Sequence, residues 1–137
     1  MKKVFEIINQ IDEIERVAAF IEELGEELNL SPSLVMNINL AIEEAIVNII
    51  QYAYPAGSTN TISLSAEHKD NELIFVLTDR GAAFDPTQIP EADISLALED
   101  RPVGGLGIFL VRKIMGEVTY QRIDGKNQLE MRKKISQ

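Results

Sequence analysis

The 137-residue sequence predicts an α+β fold, a two-layer α/β sandwich in which helices lie on one face of a mainly antiparallel mixed sheet. Three observations carry this expectation. Strand-like segments come in adjacent pairs separated by short turn sequences, and short turns join antiparallel neighbours. Two consecutive stretches of helical period lie between the first strand and the first pair. The resulting order of strand, helix, helix, two strands, helix and two strands gathers the helices together instead of alternating them with strands one for one.

Residues 2–8 alternate loosely and end in Ile7-Ile8, which suits a short first strand. Asp12 stands where it can cap a first helix, with Glu15 three residues on as in a capping box. Ile14, Val17, Ala18, Ile21, Leu24 and Leu28 then recur at helical spacing, while Glu22, Glu23, Glu26 and Glu27 make an acidic, solvated outer face. Ser31-Pro32 opens a second helix, because Ser caps well and Pro fits the first helical position. That helix is apolar around most of its circumference, which predicts deep burial, and it stops before the turn-forming Pro55-Ala56-Gly57-Ser58. Residues 60–68 and 71–79 read as a hairpin turning at Lys69-Asp70-Asn71. The continuous apolar run Leu73-Ile74-Phe75-Val76-Leu77 fits a central strand. Periodicity then lapses from Arg80 to Gly105, a connection of the length often found in lids, centred on 86–103. A helix over about 106–115 follows, then strands over about 117–123 and 128–135, joined by Asp124-Gly125-Lys126-Asn127. No repeat or change of composition divides the chain, so 1–137 is read as a single domain.

Composition removes several function classes. A net charge of −9 argues against nucleic acid and against an anionic membrane surface, both of which select clustered Lys and Arg. There is no cysteine and one histidine, His68, which excludes disulfides, thiol chemistry and a multi-histidine metal site. His68 falls in a strand and is expected to be an ordinary sheet residue. Charged residues from Glu6 onward interrupt any signal-peptide core, and no uninterrupted apolar run reaches the ~20 residues of a membrane span. A cytoplasmic protein is the expectation.

Three constellations carry chemistry. Glu44 and Asn48 lie four apart in the buried helix, on one face, with Tyr52 continuing the stripe. A carboxylate and an amide there face a cavity, a ligand or a partner, or mark the wet edge of the helix, because burying the amide alone without a partner costs about 2–7 kcal/mol. Asn can offer oxygen to a hard cation such as Mg²⁺, and Glu can accept a proton. Next, Asp79-Arg80-Gly81-Ala82-Ala83-Phe84-Asp85-Pro86 begins where the central strand ends. Asp79 can accept from an exocyclic amine such as that of adenine, and Gly81 allows a tight turn and close ligand approach. An ordinary strand-end turn would also use Asp and Gly. Last, Val103-Gly104-Gly105-Leu106-Gly107-Ile108 leads into an apolar helix, whose free N–H groups suit a polyphosphate or form a simple hinge. It is neither a Walker A loop nor a dinucleotide fingerprint.

In this order and spacing the chain resembles the GHKL ATPase superfamily with its Bergerat fold. Glu44-x-x-x-Asn48 resembles the N-box, Asp79-x-Gly81 the first glycine box and Gly105-x-Gly107 the second. The nearer resemblance is to the anti-sigma-factor serine kinases of bacterial partner-switching systems, the RsbW and SpoIIAB type. It rests on Glu43-Glu44-Ala45-Ile46-Val47-Asn48, on the segment from Asp79 to Pro86, and on Gly104-Gly105-Leu106-Gly107-Ile108-Phe109-Leu110-Val111.

The resemblance implies ATP and Mg²⁺ as ligands. It implies that Asn48 coordinates Mg²⁺, that Glu44 activates a serine hydroxyl, and that Asp79 binds the adenine amine in a pocket supported by Gly81 and Phe84. Gly104, Gly105, Leu106 and Gly107 would serve the phosphates. The substrate would be an anti-anti-sigma (antagonist) protein, with a sigma factor as a second partner, and a homodimer is compatible with it. A non-catalytic module that binds nucleotide and sequesters a partner is the alternative. Two positions depart from the family pattern. Tyr52-Ala53-Tyr54 stands where His-Ala-Tyr or His-Gly-Tyr is frequent, and Asn127-Gln128 stands where many members carry Gly-Thr, removing a hydroxyl that helps hold adenine.

Overall fold

The computed structural model describes residues 2–55, 57–88 and 105–135, apart from the side chains of 88 and 105–107. Along the chain these residues form β1 (Lys2–Ile8), α1 (Ile14–Glu27), α2 (Pro32–Tyr52), β2 (Thr61–Lys69), β3 (Glu72–Asp79), α3 (Gly105–Met115), β4 (Glu117–Ile123) and β5 (Lys126–Lys134). The strands make one sheet in the order β1-β2-β3-β5-β4. All four pairings are antiparallel, so among the described residues the sheet is more uniform than the mixed sheet expected.

Alternation builds the two layers. On β2 and β3 every second side chain (Ile62, Leu64, Ala66, then Leu73, Phe75, Leu77) is buried, and Leu129 and Met131 continue the apolar face across β5. The continuously apolar segment 73–77 is the central strand, flanked by β2 and β5. Val17, Ile21 and Leu24 from α1, Ile38, Ile42 and Ile46 from α2, and Ile108, Val111 and Met115 from α3 close over this face in one core. Gly25 lets α1 approach α2, because a Cβ there would run into the Val35 side chain. Lys3 of β1 pairs with Glu27 at the end of α1. His68 lies within β2, as expected.

Helix α2 is 21 residues long and, by length and composition alone, apolar enough to cross a membrane. Its buried stripe, from Ile38 through Ile49, packs on the sheet and the other helices, while Met36 and Leu40 are exposed, so the helix is less deeply buried than its composition predicts.

The helix and turn signals are met unevenly. Ser31 caps α2, its Oγ accepting from the Leu34 N–H at 3.2 Å with Pro32 at the first position. Asp12 does not cap α1. A 3-10 turn at Ile11–Glu13 precedes that helix, no side chain caps it, and the Glu13 carboxylate instead reaches back to the Ile8 N–H at 3.2 Å. Asp70 and Asn71 both have positive φ, as a two-residue type I′ hairpin requires. Asp124 and Gly125 do the same between β4 and β5, with Ile123 opposite Lys126. The second turn is therefore tighter than the four residues expected, and Asn127 belongs to β5.

Candidate functional site

Helix α2 brings Glu44, Asn48 and Tyr52 onto one stripe one turn apart. Asn48 is 3% exposed, and its side-chain Nδ2 is buried without a hydrogen-bond partner among the described residues. Such a donor is rare in a finished core and costs about 1–3 kcal/mol, so it points to an absent acceptor. One turn earlier, Glu44 is half-buried. Desolvation holds its carboxyl above the ordinary carboxylate range, and the neighbouring Glu43 charge adds to the shift.

The carboxylate of Asp79 lies at the end of β3, 3% exposed. Its Oδ1 accepts from the Gly81 N–H at 2.8 Å and from the Asn127 Nδ2 at 3.0 Å. Oδ2 takes no donor among the described residues and is left for an incoming one.

The chain after Asp79 is pinned to the end of α2. The Ala82 N–H donates to the Ala53 carbonyl at 2.8 Å, filling one of the acceptors a helix leaves open at its C-terminus. The Arg80 N–H donates to the Tyr54 hydroxyl at 3.0 Å. Burial pushes the Tyr54 phenol up, Asp79 adds to it against the lowering by the Arg80 bond, and the hydroxyl stays neutral and able to accept. A Cβ at Gly81 would collide with the Ala53 carbonyl oxygen and lie 2.8 Å from the Ala53 Cβ. Glycine is therefore required by this approach of helix to loop, and its φ lies outside the left-handed region. Gly81→Ala should force the loop off α2 at a cost of about 1–3 kcal/mol, the usual range for overpacking. A melting temperature within a degree of the parent would contradict that contact.

Phe84 stacks on Tyr52, ring centroids 5.1 Å apart at 29°, and its N–H donates to Asn127 Oδ1 at 3.3 Å. The structure thus places this expected ligand-binding residue against the end of the Glu44–Asn48 stripe.

Helix α3 begins at Gly105 and packs along α2. Gly105, Leu106 and Gly107 form its first turn, where N–H groups lack intrahelical partners and the positive end of the dipole lies. Gly104 and most of the expected lid, 89–103, lie outside the described residues. The root of that segment is a 3-10 turn at Pro86–Gln88, and Arg112 of α3 donates to the Thr87 carbonyl.

Arg122 and Tyr120 escaped the motifs, while Ala53, Tyr54 and Asn127 were marked only as departures from the family pattern, without the contacts they make. The Asp124-Gly125 turn is the signal that could have found the contact between Asn127 and Arg122, since a two-residue hairpin places them opposite each other. Among the described residues no cluster of three His, Cys, Asp or Glu side chains could cage a metal. Mg²⁺ does not need one, as it is commonly held by one or two protein oxygens with phosphates and water. A single buried amide with an unanswered donor fits that arrangement, its oxygen available to the cation and its N–H to a phosphate or bound water.

Comparison with known proteins agrees with this geometry. Residues 8–133 match the model of the histidine kinase-like ATPase domain. Serine/threonine-protein kinase BtrW of Bordetella bronchiseptica is 32% identical over 112 residues, covering 82% of this chain and 79% of that protein. Serine-protein kinase RsbW of Halalkalibacterium halodurans is 30% identical over 95 residues, covering 66% of this chain but 57% of that protein. A crystal structure of RsbU and RsbW domains from Mycobacterium tuberculosis superposes with a TM-score of 0.68 at 16% identity, covering 98% of this chain and 33% of that one. From Ile8 to Lys133, then, the sequence and the helix-covered sheet tell the same story: the chain belongs to the histidine kinase-like ATPase domain family.

Proposed function

We propose that this chain is an ATP-dependent serine-protein kinase that acts as an anti-sigma factor and phosphorylates a serine of an antagonist protein in a partner-switching system. The observation that carries the reading is the pairing on α2 of a carboxylate with raised proton affinity, Glu44, and a buried amide with an unanswered donor, Asn48, one turn apart. The kinase names of BtrW and RsbW support it.

Asp79 Oδ2 receives the adenine amine. The first turn of α3, with Gly105, Leu106 and Gly107, and the Gly104 before it donate N–H groups to the phosphates. Asn48 would hold Mg²⁺, which would supply charge neutralisation at the phosphates. Glu44 takes the proton of the serine hydroxyl as its oxygen bonds to the γ-phosphorus and the bond to the ADP oxygen breaks. Positioning and charge stabilisation carry most of such a reaction, so this small set of groups suffices. A raised proton affinity brings Glu44 closer to the operating pH, where a general base is most effective.

The test is incubation of the chain with labelled ATP, Mg²⁺ and a cognate antagonist domain. Phosphoserine on the antagonist is expected. A tight complex with no phosphoserine would replace this reading with that of a module that sequesters its partner without phosphorylating it.

A further inference from the structure

Asp79, Asn127 and Arg122 stand side by side on three neighbouring strands, β3, β5 and β4, paired Asp79 to Asn127 and Asn127 to Arg122. They form a polar row at the end of a sheet face whose next two rows, Leu77–Leu129–Tyr120 and Phe75–Met131–Val118, carry core side chains. Asn127 is 5% exposed. Its Nδ2 donates to Asp79 Oδ1 at 3.0 Å and to the Ala82 carbonyl at 2.8 Å. Its Oδ1 receives the Phe84 N–H at 3.3 Å, an Arg122 N–H at 3.1 Å and the Tyr120 hydroxyl. Arg122 also donates to the Gly81 carbonyl at 2.8 Å. These partners dictate the amide's orientation. Turned over, it would aim its oxygen at a carboxylate and a carbonyl and its NH₂ at the Phe84 and Arg122 N–H donors.

We propose that Asn127 is a positioning residue that sets base specificity by locking the Asp79 carboxylate, with Arg122 locking Asn127 in turn; this rests on the reading of Asp79 as the nucleobase acceptor. Adenine offers an amine at position 6. A 6-oxopurine offers a carbonyl there and an N–H at the adjacent position 1. A carboxylate free to swing can exchange one donor for the other. A carboxylate whose Oδ1 is held by both Gly81 and Asn127 presents Oδ2 in one place and meets the 6-oxo group with a lone pair. A site built to bond one polar group discriminates strongly against an analogue that lacks it.

The test measures dissociation constants of the full chain for Mg-ATP and Mg-inosine triphosphate by calorimetry. Asn127→Asp has the same shape and keeps the acceptor while turning both donors into acceptors. Arg122→Met alters an exposed side chain and releases the amide. Circular dichroism checks the fold of each. The parent should prefer ATP by about 100-fold or more. Asn127→Asp should lose about 10- to 100-fold in ATP affinity, the range for a hydrogen bond to a charged group, with little change for the inosine nucleotide, so the preference collapses. Arg122→Met should reduce the same ratio about 3- to 10-fold. If both affinities fall together in Asn127→Asp, or neither changes, Asn127 is only structural and the proposal is overturned. If Asn127→Asp does not fold, an unchanged ratio in Arg122→Met overturns it. A parent that binds no ATP overturns the nucleotide-site reading as well, so the two failures are distinguishable.

Discussion

Glu44→Gln should reduce phosphoryl transfer to a serine substrate by about 10²- to 10⁴-fold, the contribution usual for a general base, while ATP affinity stays within a few-fold. The substitution keeps shape and removes only the capacity to take a proton. Rates measured at saturating ATP separate the two effects, and equal rates in variant and parent would remove Glu44 as the base. A second signature follows from burial. The Glu44 carboxyl is held above its ordinary value by desolvation first and by Glu43 second. A group whose proton affinity rises on folding adds stability below the unfolded value, and that stability is lost as pH rises through the folded one. At neutral pH the ionised Glu44 therefore weakens the fold. Glu44→Gln should raise the melting temperature at pH 7 to 8, and the gain should disappear near pH 4, where the parent is protonated. A gain independent of pH would contradict the desolvation. The parent's transfer rate should rise with pH through the same elevated range, because only the carboxylate can act.

Asn48→Ala should weaken Mg-ATP binding by about 100-fold or more, since it removes the proposed metal ligand and a buried donor together. Removing a buried side chain usually costs stability. Here the deleted group includes an Nδ2 that takes no partner among the described residues, so the variant should melt no lower than the parent without nucleotide. Stability kept while affinity is lost is the mark of a residue retained for function at the fold's expense. A variant with lower melting temperature and unchanged affinity would make Asn48 a structural residue.

Most of the layer architecture was legible because it depends on period. Residues 73–77 announce a central strand by their continuous apolarity, and Ser31-Pro32 announces a helix start through capping chemistry and the fixed φ of proline. The capping expectation at Asp12 failed where a 3-10 turn gave the entry to α1 to Glu13 instead. The placement of the candidate site residues was legible where helix spacing sets it, as for Glu44 and Asn48 on α2. It was not legible where the partners come from distant strands. Asn127 and Asp79 are 48 residues apart in sequence, and only the register of β5 against β3 joins them. A turn assigned two residues too long hid that register. Gly81 was anticipated for the right position but for a different reason: the neighbour that excludes a Cβ is Ala53 of its own chain.

The account turns on one claim, that the α2 stripe, the Asp79 carboxylate and the start of α3 together take Mg-ATP. Calorimetric titration of ATP into the parent, Asn48→Ala and Asp79→Asn, each with Mg²⁺ and with a chelator, tests it directly. The account predicts one saturable site in the parent, tighter with Mg²⁺, with binding severely weakened in Asp79→Asn under both conditions and the Mg²⁺ dependence lost in Asn48→Ala. A parent that binds no ATP, or variants that bind it as the parent does, would contradict it.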